Sequence, residues 1–175
     1  MDPIYCARVR FLEFFKVAAA NVLLTSRDPN GHSVISIAAE WGHLDCCEEI
    51  YRRCPSLLYN KSNQGDTALH LAAWSEKPEV VKFLIYAEGL EVPNKKLMMM
   101  VTKHHETALH LSVEKGNLKI IKLFVEADLD KELMRMVDRY QETVFHSAVR
   151  KSNLEAVELM LEVLALVRCR ICWVV

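Results

Sequence analysis

Gly65-Asp66-Thr67-Ala68-Leu69-His70-Leu71-Ala72-Ala73 decides the fold, because its four-residue centre returns down the chain. Thr67-Ala68-Leu69-His70 recurs as Thr107-Ala108-Leu109-His110 and again as Thr143-Val144-Phe145-His146. A degraded copy, Ser33-Val34-Ile35-Ser36, precedes them, and the spacings are 34, 40 and 36 residues. A period of that size marks an array of stacked units and argues against a compact catalytic core.

The agreement extends well past four residues. A small residue stands two places after the His position, at Ala38, Ala72, Ser112 and Ala148. Gly42, Glu76, Gly116 and Ser152 follow nine places after the Thr. Next come apolar pairs, Cys46-Cys47, Val80-Val81, Ile120-Ile121 and Ala156-Val157. Each is followed by a further apolar patch, Ile50-Tyr51, Leu84-Ile85, Phe124-Val125 and Met160-Leu161. Apolar residues at these offsets trace one buried stripe on a helix. Each unit therefore reads as two antiparallel helices, and the chain as an all-α solenoid. Glycine at Gly42 and Gly116 suits the turn between them, and Pro78 suits the first turn of a second helix. Leu23-Leu24, Leu57-Leu58, Leu97-Met98 and Leu133-Met134 sit in one phase upstream and predict an extra apolar turn between units. The boundaries that follow are a half-repeat at 1–25 and repeats at about 26–59, 60–99, 100–135 and 136–165. A tail at 166–175 lies outside the pattern. Ala87 to Lys95, with Gly89 and Pro93, is expected to be a surface loop.

These residues resemble the ankyrin repeat, whose signature is Thr-Pro-Leu-His-x-Ala in about 33 residues. The resemblance covers roughly residues 26–165, although none of the four copies keeps the proline and Ser36 replaces the first histidine. A finer likeness runs through Met1-Asp2-Pro3, Tyr5, Ala7 and Phe11-Leu12-Glu13, and through Gly42-His43-Leu44-Asp45-Cys46 with Cys54-Pro55-Ser56-Leu57-Leu58. It is similar to plant ankyrin proteins of the accelerated-cell-death type. That resemblance implies a protein-interaction role in defence signalling. In that family a multi-span membrane domain with a Pro-Gly-Gly motif follows the repeats. This sequence lacks that domain, so a second reading is the cytosolic part of a membrane-anchored regulator, cut from its anchor.

Composition narrows the partner. Of 175 residues, 51% are apolar, and 22 Lys and Arg nearly balance 23 Asp and Glu, so no basic stripe points to nucleic acid. No segment reads as a membrane span: Glu158 and Glu162 interrupt the most apolar late stretch, Ala156 to Val167. Six cysteines do not follow the repeat, which suits reduced thiols and a cytoplasmic location. The resemblance adds a position peripheral to the plasma membrane, should the chain act with full-length relatives.

Chemistry is sparse. His70, His110 and His146 share the repeat phase, yet metal ligation needs its donors within about 2 Å of one ion. Bracing by hydrogen bonds between Ser33, Thr67, Thr107 or Thr143 and the third residue onward is the favoured reading. His104-His105 with His110 suggests a zinc triad, against which stands a pair of exposed loop histidines. Cys169-x-x-Cys172 supplies half a zinc or redox site. No phosphate loop, nucleophile elbow or carboxylate pair is present, so no enzyme and no cofactor are expected. Trp41 and Trp74, near the ends of the first helices, serve either as partner anchors or as filler between helices. His32, Asn63, Gln64, Asp66, His104, His105, Arg139 and Tyr140 at the loop tips would form a polar rim. Arg150 would make the far end of the groove basic. The apolar outer face of repeat four suggests self-association.

Overall fold

The computed structural model describes residues 2–87 and 92–171, with side chains as far as Ala165. Among the described residues all regular structure is helical, apart from two isolated antiparallel bridges, Arg27 to Ser33 and Val137 to Thr143. The half-repeat holds α1 (Pro3–Arg8), α2 (Leu12–Val17) and α3 (Ala20–Thr25). Repeat one holds α4 (Val34–Trp41) and α5 (Leu44–Arg53), and repeat two α6 (Ala68–Trp74) and α7 (Pro78–Tyr86). After α8 (Lys95–Met98), repeat three holds α9 (Ala108–Lys115) and α10 (Leu118–Ala127). Repeat four holds α11 (Val144–Arg150) and α12 (Leu154–Ile171). The upstream apolar pairs do form extra turns, namely α3, α8 and 3-10 turns at Pro55–Tyr59 and Leu133–Arg135.

The first helices form one row, α1-α4-α6-α9-α11, and the second helices another, α2-α5-α7-α10-α12. The inner row packs closely because the residues at its contact are small: Ala38, Ala72, Ser112 and Ala148 are all fully buried. Between the rows lies one continuous core, including Ile35, Leu69 and Leu109 inside and Ile50, Leu84 and Phe124 outside. Burying each such side chain contributes roughly 1.5–3 kcal/mol. A single unit presents its apolar face to two neighbours and cannot bury it alone. Leu24 differs from the second member of the other pairs in being exposed.

The turn between the two helices needs a left-handed residue in every repeat. Gly42 (φ +78°) and Gly116 (φ +76°) supply it in the two repeats that kept glycine. Glu76 (φ 56°) and Ser152 (φ 55°) adopt the same conformation without glycine. Pro78 takes the first turn of α7.

Candidate protein-interaction surface

The loops that join one repeat to the next are rigid fingers, and a single position builds them. Asp28, Ser62, Thr102 and Asp138 each stand five places before the Ser or Thr of their repeat. The side-chain oxygen of each accepts two backbone N–H groups across the tip: Asn30 and His32 on Asp28, Gln64 and Asp66 on Ser62, His104 and Glu106 on Thr102, Tyr140 and Glu142 on Asp138. The third residue onward is left-handed in each finger, at Gly31, Gly65, His105 and Gln141. Sequence reasoning missed this position, although its signal was present: four short turn-forming side chains in one phase.

The fingers are also joined to each other. Asn63 N–H donates to the Asn30 carbonyl at 2.9 Å, Lys103 N–H to Gln64 at 2.8 Å, and Arg139 N–H to His104 at 2.9 Å. One main-chain bond per junction thus fixes the pitch at the tips. Gly65 is buried at such a junction, where a Cβ would lie 3.0 Å from the Lys103 nitrogen.

The Thr–His pairs brace the base of each finger. His70 Nδ1 lies 3.3 Å from Thr67 N–H and 2.8 Å from its hydroxyl, closing a capping box on α6. Both groups donate to Nδ1, so the proton sits on Nε2, which donates to the Glu106 carbonyl of the next repeat at 3.2 Å. The same box holds Thr107 with His110 and Thr143 with His146, and Ser33 and Ser36 replace it with a hydroxyl pair at 2.9 Å. Burial pushes the pKa of His70 down to about 4 and lowers that of His110. His146 is exposed, since no described repeat covers it.

Between the fingers and the inner helices of repeats one to three runs a cleft of about 460 Å³. Its rim is Asn30, His32, Asn63, Gln64 and Asp66; its floor and far wall are Glu40, His70, Leu71, Trp74 and Leu111. Trp74 is 44% exposed, and the Lys115 ammonium stands 3.7 Å over its ring. Trp41, 51% exposed, is not part of that wall, so the two tryptophans do not share one cleft.

A second cleft, lined by Glu114, Tyr140, Glu142, Arg150 and Lys151, lies at repeats three and four. Arg150 pairs with Glu142 and Lys151 with Glu114, so the expected basic end of the groove is charge-compensated. At the neighbouring tips His104 accepts from the Arg139 guanidinium at 2.9 Å, and that guanidinium lies 4.5 Å over the Tyr140 ring. His105 is exposed beside them.

Among the described residues no group of three or more His, Cys, Asp or Glu side chains is placed to hold a metal ion. Cys46 and Cys47 are buried in α5, where burial pushes the Cys46 thiol up to about 12 and also holds the Cys47 thiol well above its ordinary value. Cys172 lies outside the described residues, as does the side chain of Cys169. No helix among the described residues is long and apolar enough to cross a membrane.

Stacked helical hairpins with linked fingers and an open inner cleft define a repeat scaffold of the kind that presents a recognition surface. The chain belongs to the ankyrin-repeat family: a family model described as ankyrin repeats (3 copies) matches residues 4–96 and 92–169. Similar proteins include Protein ACCELERATED CELL DEATH 6 of Arabidopsis thaliana, 32% identical over 108 residues, which is 57% of this chain and 16% of that protein. Another is the probable 26S proteasome regulatory subunit p28 of Saccharomyces cerevisiae, 33% identical over 97 residues, covering 55% of this chain and 40% of that protein. The chain thus spans less than half the length of either relative.

Proposed function

We propose that this chain is a non-catalytic interaction module that captures another protein in the cleft beside Trp74. The observation that carries this reading is the half-exposed Trp74 set among Leu71, Leu111 and the finger amides. An aromatic anchor with a polar rim is the usual make-up of a binding hot spot. The fingers are prefixed by their own hydrogen bonds, so binding requires little backbone change. The likeness to the Arabidopsis protein supports a place in plant defence signalling, and the membrane-anchored reading remains tied to that likeness.

The test is affinity capture from native tissue with the full chain. Trp74→Ala is expected to lose the captured partner while its melting temperature stays unchanged, and Trp41→Ala to retain it. Undiminished capture by folded Trp74→Ala would sink the proposal. The exposed apolar residues of repeat four, Leu154 (72% exposed), Leu161 (52%) and Val149, support a second reading, self-association through that face.

A further inference from the structure

The two clefts differ in how their charges are spent, and that difference selects a partner. In the cleft at repeats three and four, both carboxylates are matched by cations of the chain itself. In the Trp74 cleft the charged side chains of the wall are Glu40 and Asp66, and no Lys or Arg lines it. Both carboxylates are half-buried. Asp66 accepts the Ser62 hydroxyl at 2.9 Å, and Glu40 has no hydrogen-bond or ion-pair partner among the described residues. The two histidines of the wall do not compensate them. His32 is turned to Asp28 at 3.1 Å, and His70 is held neutral with both ring nitrogens engaged. One cation, Lys115, lies outside the wall over the Trp74 ring. Two acidic groups therefore face a cleft whose floor is Leu71, Leu111 and an indole.

We propose that this cleft takes an arginine or lysine side chain from an exposed segment of a partner protein. Its aliphatic stem would lie on Trp74 and Leu71, and its cation would meet Glu40 and Asp66. Long cationic side chains suit such a site because stem and head want different surroundings. The ring already attracts one cation, Lys115, as the negative face of an indole does. The finger amides of Asn63 and Gln64 can accept hydrogen bonds from a guanidinium fork, which favours arginine over lysine. A carboxylate entering the same cleft would meet like charge and be rejected. This inference rests on the reading of the Trp74 cleft as the recognition surface.

The experiment titrates isotope-labelled full-length chain with N-acetyl-arginine methylamide and follows the indole N–H signals. The expected result is a saturable shift of the Trp74 signal, with Trp41 as the internal reference. The uncharged citrulline analogue and N-acetyl-glutamate methylamide should give no saturable shift. Glu40→Gln with Asp66→Asn should weaken the arginine probe by about three- to tenfold, from the strength of two partly exposed ion pairs. Raising the ionic strength on the unaltered chain should weaken it in the same direction, a check that needs no variant to fold. Equal response to arginine and citrulline would overturn the basic preference and leave the Trp74 cleft standing. Absence of any saturable shift would overturn the proposal outright. Capture by way of Trp74 is scored separately by the alanine variant, so the two failures are distinguishable.

Discussion

His70 makes the strongest stability prediction, because its protonation would break contacts within a repeat and between two repeats at once. Nδ1 accepts from Thr67, and Nε2 donates to the Glu106 carbonyl. A proton added at Nδ1 would face the Thr67 N–H with a second donor. Burial lowers the folded pKa from 6.5 to about 4. The neutral form is therefore the one bound to the fold. The stability it supports is fully present above about pH 6.5 and is lost as pH falls through about 4. At 1.36 kcal/mol per unit the whole effect is about 3 kcal/mol, of which roughly 2 kcal/mol is lost between pH 7 and pH 5. That is a large share of the 5–15 kcal/mol typical of folded domains. The assay is urea unfolding by circular dichroism at the two pH values. His70→Gln keeps a side-chain acceptor at the third helical position, as in the usual capping box, but cannot titrate. Its stability should fall with pH by about 2 kcal/mol less than that of the unaltered chain. His110, also lowered by burial, leaves a residual slope in both. Parallel slopes for His70→Gln and the unaltered chain would refute the reasoning.

Further outcomes follow from the fingers, the thiols and the open face. Gly65→Ala places a Cβ at φ +87° and 3.0 Å from the Lys103 nitrogen, so it should cost about 1–3 kcal/mol in urea unfolding. Its local mark should be faster amide exchange at Lys103. Cys46 and Cys47 should resist a thiol-reactive chromophore at mildly alkaline pH and react once urea unfolds the chain, given a Cys46 pKa pushed up to about 12. Rapid labelling of both in the folded chain would contradict their burial. Leu161→Glu should reduce any concentration-dependent mass in light scattering, whereas a monodisperse monomer at high concentration before substitution would remove the self-association reading.

How much of this was legible in the sequence depends on whether a feature is local to one repeat. The helices, their small contact residues and the turn at Gly42 follow from a pattern that each copy repeats. The Thr–His box is local too, and its geometry can be anticipated from residue type. The cleft is another matter. Trp41 and Trp74 look equivalent when each is placed near the end of a first helix, but they stand eight and seven places after Ser33 and Thr67. One residue on a helix is a rotation of about 100°. Trp74 accordingly lines the cleft, and the corresponding position of repeat one is Glu40. The charge pairing of Arg150 and Lys151 was hidden for a similar reason. Lys151 finds its partner Glu114 across a repeat junction, and Arg150 reaches eight residues back to Glu142.

The finger ladder also has a direction, which the repeat motif alone does not show. At every junction the later finger gives the N–H and the earlier one the carbonyl. In the first finger the donating position is Pro29, which has no N–H to give, so that edge cannot be extended by main-chain pairing. In the fourth finger the accepting position is Tyr140, whose carbonyl takes no backbone donor among the described residues. The histidines do not mark the edge in the same way: His70 Nε2 reaches the following repeat, but Nε2 of His110, inside the array, has no hydrogen-bond partner among the described residues, as in His146. The two finger edges of the described array are thus chemically unlike, one closed by proline and one carrying an unused carbonyl acceptor. Self-association through repeat four would therefore not extend the finger ladder, and the exposed Leu154 and Leu161 are the apolar contacts it offers. A head-to-tail copy could not supply the missing N–H, because the position that would supply it is Pro29.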